Sequence, residues 1–86
     1  METSIRSFKE KLDQEYQWPA LYTFKFITPK EKVSEVKSLF IRHTIRERPS
    51  KKGNYISLTF DMMAGSSDDI IAVYQQVHEV GNVIAL

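Results

Sequence analysis

A chain of 86 residues is enough for one domain and too short for two independent cores; with 42% apolar and 27% charged residues it excludes a disordered or collagen-like chain. The absence of cysteine rules out disulfides, thiolate metal sites, iron–sulfur clusters and cysteine nucleophiles, and suits a reducing cytoplasm. Twelve basic against eleven acidic residues leave a net charge of +1, so no global excess marks a dedicated nucleic-acid binder, and polyanion binding would need local clustering.

The opening METSIRSFKEKLDQEY has no apolar stretch fit for a secretory signal, and no window approaches the ~20 apolar residues of a membrane span. A cytoplasmic protein without a membrane partner is expected. Ile5, Phe8, Leu12 and Tyr16 fall at helical spacing between Ser4 and Gln17, with Lys9, Glu10, Lys11 and Asp13 on the other side, which predicts a short amphipathic helix. Trp18-Pro19 breaks it, and Trp18 is expected to lock the segment against the body. Residues 1–19 thus read as an N-terminal helical extension and residues 20–86 as the domain proper.

LYTFKFIT alternates, with Tyr22, Phe24 and Phe26 on one face and Thr23 and Lys25 on the other, predicting a half-buried strand over Leu21–Thr28. Thr28-Pro29-Lys30-Glu31 has the layout of a capping box, with Thr28 as N-cap, Pro29 at the first helical position and Glu31 three residues after the cap. The helix that follows carries Val33, Val36, Leu39 and Phe40 inward and Lys32, Glu35 and Lys37 toward solvent. Arg42–Arg48 predicts a solvated edge strand with Ile45 inward and Pro49 ending its pairing.

After the tip Lys51-Lys52-Gly53-Asn54, YISLTFDMM predicts a strand with Ile56, Leu58, Phe60 and Met62 facing one way and Tyr55, Ser57, Thr59 and Asp61 the other. Gly53 is expected to supply a positive φ at that turn. Gly65-Ser66-Ser67-Asp68-Asp69 starts a last helix with the apolar row Ile70, Val73, Val77 and Val80; Gly81-Asn82 stops it, and VIAL closes the chain as a strand.

The order strand, helix, strand, strand, helix, strand is that of a ferredoxin-like βαββαβ sandwich, an α+β fold whose four-stranded antiparallel sheet carries both helices on one face. Its core is predicted to hold Phe24, Phe26, Val33, Val36, Phe40, Ile56, Leu58, Phe60, Ile70, Val73, Val77 and Ile84. The uncovered sheet face then presents Thr23, Lys25, Arg46, Arg48, Tyr55, Ser57 and Thr59, a basic platform with one aromatic ring. Rings stack on bases while Lys and Arg meet phosphates, so nucleic acid is one occupant to weigh. Lys52-Gly53-Asn54-Tyr55-Ile56-Ser57, however, lacks the aromatic pair of an RNA-recognition signature. A solvated or self-covering face is the simpler alternative.

Catalytic chemistry finds no foothold. His43 and His78 have no second histidine at ligand spacing, so neither a metal nor another cofactor is expected, and His78 suits the carboxyl end of its helix. Asp68 and Asp69 diverge by about 100 degrees on a helix, which suits capping rather than a carboxylate dyad. No serine sits in a Gly-x-Ser-x-Gly elbow, and Gly53 and Gly65 stand alone rather than in a phosphate loop. A non-enzyme is expected, with the hairpin Ser50-Lys51-Lys52-Gly53 as a weak anion grip through its backbone donors.

Trp18-Pro19, Tyr22-Thr23-Phe24-Lys25 and Ser50-Lys51-Lys52-Gly53-Asn54-Tyr55-Ile56-Ser57, followed by the closing helix and strand, make residues 8–86 resemble the YbeD-like family of small uncharacterised bacterial proteins. The resemblance implies an ACT-like, ferredoxin-like domain. ACT domains pair in dimers and bind small effectors such as amino acids at the interface, which implies a regulatory role and a homodimer here. Thr28-Pro29 stands where that pattern has a glycine-rich turn, so a module acting in trans on a protein partner or small effector is the reading carried forward.

Two functions follow as expectations. One is a regulatory or interaction module using the open sheet face and the Ser50–Tyr55 hairpin, with Ser57 beside it; the other is a nucleic-acid-binding module using Lys25, Arg46, Arg48, Lys51, Lys52 and Tyr55.

Overall fold

Strands β1 (Ala20–Pro29) and β3 (Tyr55–Ala64) run antiparallel for ten residues each, Ala20 opposite Ala64 and Pro29 opposite Tyr55. The computed structural model describes residues 2–86, and Met1 of the predicted extension lies outside them. A short strand β2 (Arg46–Pro49) adds to the outer side of β3, and β4 (Ile84–Ala85) to the outer side of β1, giving an antiparallel sheet in the order β2-β3-β1-β4. Three helices complete the α+β fold: α1 (Glu2–Glu15), α2 (Val33–Leu39) after one 3-10 turn at Lys30–Lys32, and α3 (Ser67–Val80).

Alternation explains why the two long strands bury one face. Phe24 and Phe26 from β1 and Leu58 and Phe60 from β3 are fully buried, with the Phe24 and Phe60 rings stacked 5.2 Å apart. Against them the helices place Leu12, Val36, Ile70, Val73, Val77 and Val80, all in one continuous cluster. Each such large side chain contributes about 1.5–3 kcal/mol on burial, so this layer is the main source of stability.

Four sequence expectations change here. Thr28 does not cap α2: it is still in β1, fully buried opposite Ile56, with its hydroxyl donating to the Phe26 carbonyl at 3.4 Å. Pro29 takes the cap position without a side-chain bond, because the strand runs one residue further than expected. The second strand begins at Arg46 rather than Arg42, since the chain leaving α2 makes a turn in which His43 N–H donates to the Phe40 carbonyl at 3.0 Å. Pro49 remains in the ladder, opposite Ile56, on an edge strand where a missing N–H is tolerated.

Ile84 is not a core residue. It lies opposite Ile27 on the uncovered face and is 57% exposed, while Ala85 takes the inward position opposite Phe26 and Val83 packs against the core edge. A register one residue away from the expected one inverts a strand this short. Val33 and Ile56 sit at the core margin, half-buried and packed against the cluster. Lys32 is no solvated residue either: its Nζ donates to the Val80 carbonyl at 2.6 Å, placing a cation on the carboxyl end of α3 where His78 had been expected.

Candidate functional site

Strand register lays out the uncovered face in rows. Arg46 lies across from Thr59, which lies across from Lys25; Arg48 lies across from Ser57, which lies across from Ile27. Directly opposed residues share a face, so Lys25, Arg46, Arg48, Ser57 and Thr59 stand together as the alternation predicts. The next rows are Thr23 with Asp61, then Leu21 with Met63, both of the latter exposed.

The hairpin after β2 is held by its own backbone. Ser50 N–H donates to the Tyr55 carbonyl at 2.8 Å, Gly53 N–H to the Ser50 carbonyl at 3.0 Å, and Gly53 has the positive φ of 75° that the turn requires. Lys30 N–H donates to the Asn54 carbonyl at 3.0 Å and ties the tip to the end of β1. Tyr55 therefore opens β3 from a stem held by backbone hydrogen bonds.

Lys25, Arg48, Ser50, Tyr55 and Ser57, with Ile27 and Pro49 beneath, line one shallow concavity of about 180 Å³. Five of the nine residues singled out from sequence meet there. Arg46 does not line it, because its guanidinium turns to Asp61 at 3.5 Å. Lys51, Lys52 and Gly53 form the tip of the hairpin, outside the concavity.

Charge is distributed unevenly over this face. Thr23 donates to Asp61 at 2.6 Å, and that bond, followed by the Arg46 guanidinium, holds the Asp61 carboxyl below the usual carboxylate range. Glu47 points to the other face and pairs with Lys37 of α2. Among the described residues no carboxylate lies within ion-pair distance of Lys25 or Arg48. Ser57 spends its proton on the Arg48 carbonyl at 3.4 Å, and Ser50 Oγ accepts from Tyr55 N–H at 3.3 Å. The donors left facing the concavity are the Lys25 ammonium, the Arg48 fork, the Tyr55 phenol and the Ser50 hydroxyl proton. Such a set suits a carboxylate or phosphate, with Arg48 able to bind it in two-point fashion.

Elsewhere, His43 lies over the Phe60 ring at 5.3 Å, and His78 lines an apolar groove between α1, α3 and β4. Among the described residues no three His, Asp or Glu side chains gather as metal ligands would.

Sequence reading missed Tyr74. Its ring meets Phe8, Tyr22, Phe24 and Phe26, and its hydroxyl lies 3.0 Å from that of Tyr22. The signal was there: Tyr74 follows Ile70 by four residues and precedes Val77 by three, on the buried stripe of α3. A polar clasp was missed too. Lys9 donates to Ser67 at 2.9 Å and to Asp68 at 3.1 Å, residues almost sixty positions away that no one-dimensional pattern links to it, and Trp18 donates to Asp13 at 3.0 Å.

Fold and site together define a small α+β domain with an antiparallel sheet open on one face and a cationic hollow on it. No helix among the described residues is long and apolar enough to cross a membrane. A family model described as a protein of unknown function, DUF493, matches residues 13–86, and the chain belongs to that family of small bacterial YbeD-like proteins. No curated protein and no solved structure matches the chain.

Proposed function

We propose that the protein is a non-catalytic interaction module that receives an acidic segment of a partner protein, or a small anionic effector, on its open sheet face. The observation that carries this reading is the meeting of Lys25 and Arg48, both without a carboxylate partner among the described residues, with Tyr55 and Ser50 around one hollow. A non-catalytic role fits the chemistry of the lining, which offers cations and hydroxyls and no carboxylate or imidazole to serve as base.

The strand order β2-β3-β1-β4, with α2 and α3 packed on one side, supports a ferredoxin-like, ACT-like arrangement and a regulatory role exercised in trans. Pairing the open face with its own copy is disfavoured by charge, since it carries Lys25, Arg46 and Arg48 against Asp61 alone. An acidic partner is complementary to it.

One observation favours nucleic acid as the second reading: Tyr55 is 46% exposed beside Lys25 and Arg48, where a base could stack while a phosphate met the cations. Titrating the protein with an oligoglutamate peptide and with an oligoribonucleotide, followed by amide NMR at two salt concentrations, separates the two. The first reading expects peptide-induced shifts at Lys25, Arg48 and Ser50–Ser57. A steep salt-dependent response to RNA alone would favour the second.

A further inference from the structure

Helix α1 lies antiparallel to α3 on the far side of the molecule from the cationic hollow. Lys9 of α1 meets Ser67 and Asp68 at the start of α3, Phe8 sits edge-on to Tyr74 at 5.7 Å, and Ile5 reaches the groove lined by Ile71 and His78. Among the described residues of α1 only Leu12 is buried; Ile5 and Phe8 stay 44% and 36% exposed. Beyond them, toward β4, an apolar trough of about 850 Å³ with Phe26, Tyr74 and Val77 in its walls is left unfilled. The ion pair that anchors α1 to α3, Lys9 to Asp68, is solvent-exposed, a weak and salt-screened kind of contact, and beside it stands one part-buried hydrogen bond from Lys9 to Ser67. The family match begins at residue 13, so the first three turns of α1 lie outside it while Tyr22, Ser67, Ile71 and Tyr74, the surface they cover, lie inside.

We propose that the α3–β1 surface under α1 is a helix-docking site, that α1 fills it in cis as a reversible latch, and that its occupant in trans is the α1 of a second copy, giving a helix-exchanged dimer. The site is already matched to one helix pattern, with Phe8 on Tyr74, Leu12 in the core and Lys9 on Asp68. A second copy carries that pattern by construction, and exchange remakes the same contacts between chains, which is why swapping an identical element is a low-cost route to a dimer. Only the link Gln17–Pro19 must change its path.

A fluorescent peptide of residues 2–17 tests this against the full chain and against a full chain with its own latch loosened by Phe8→Ala and Lys9→Glu, substitutions at an exposed and a half-buried position of α1 whose folding circular dichroism verifies. The peptide should bind the loosened protein about tenfold more tightly than the wild type, and Asp68→Lys should weaken binding to the loosened protein, whereas in the wild type it loosens the competing latch as well and the two effects offset. Sedimentation of the wild type up to millimolar concentration should show a dimer that excess peptide dissociates. If the loosened variant fails to fold, titration of the wild type with a peptide carrying Lys9→Glu decides, since only the peptide then loses the Asp68 contact and it should bind more weakly than the unaltered peptide. A chain that stays monomeric throughout, a peptide that does not bind the loosened protein, or an equal affinity of the wild type for the Lys9→Glu and unaltered peptides overturns the proposal.

Discussion

The phenol oxygens of Tyr22 and Tyr74 lie 3.0 Å apart and join β1 to α3 in the half-buried seam beneath α1. Burial first, and then the bond with Tyr22, push the Tyr74 phenol above its ordinary range. A raised folded-state value means the stabilisation is fully present below the unfolded value near ~10 and is lost as pH rises toward the folded one. Ultraviolet titration should therefore find one tyrosine ionising well after the others, and Tyr74→Phe should abolish that late step. The same variant should lose about 0.5–1.5 kcal/mol in urea unfolding, the ordinary value of one hydrogen bond.

Asp13 titrates with the opposite sign. Hydrogen bonds from Ser67 and Trp18, and the Lys9 charge, hold its carboxyl below the usual range. Its contribution is present above the unfolded value of about 3.9 and is lost as pH falls through the folded one. Trp18, the only tryptophan, donates to Asp13 and stacks on Tyr16, so its fluorescence should change as acid releases the clasp. Asp13→Asn should remove the acid transition; a transition of the same midpoint in that variant would assign it to another group.

Gly53 has nothing within 4 Å of the position a Cβ would take, so a substitution there meets strain but no clash. Gly53→Ala should cost about 1–2 kcal/mol through the left-handed backbone alone, and Gly53→Asn less, measured by denaturant unfolding.

Phe60 and Ile84 make a contrasting pair. Phe60→Ala should cost about 3–5 kcal/mol, because a fully buried ring packed between Phe24 and Phe40 leaves a cavity. Ile84→Ala should stay within about 0.5 kcal/mol, as expected of a residue on the open face. Equal costs would place Ile84 in the core.

The long strands and helix α3 were legible because their periods are long enough to average out local exceptions: ten alternating residues in β3 place Leu58 and Phe60 inward whatever their neighbours. Two-residue β4 has no such redundancy, so Ile84 was misplaced by a shift of one. Thr28 misled because capping chemistry and strand chemistry use the same residue, and the buried ladder opposite Ile56 prevailed. Lys25, Arg48, Tyr55 and Ser57 could be grouped from alternation and a hairpin turn, whereas the removal of Arg46 from the set depends on the reach of Asp61 across the sheet. Tyr74 lay on a visible stripe but is polar at its tip, and only its meeting with Tyr22 gives it meaning.

The most direct measurement of the central claim is calorimetric titration of an oligoglutamate peptide into the wild type, into Lys25→Glu/Arg48→Glu, and into Lys51→Glu/Lys52→Glu, each checked for folding by circular dichroism. The first double variant should lose binding at least tenfold while the hairpin-tip variant, which alters the same net charge outside the hollow, loses only the few-fold expected of screened surface charges. Equal loss in both variants, or none in the first, would contradict a site built by Lys25 and Arg48.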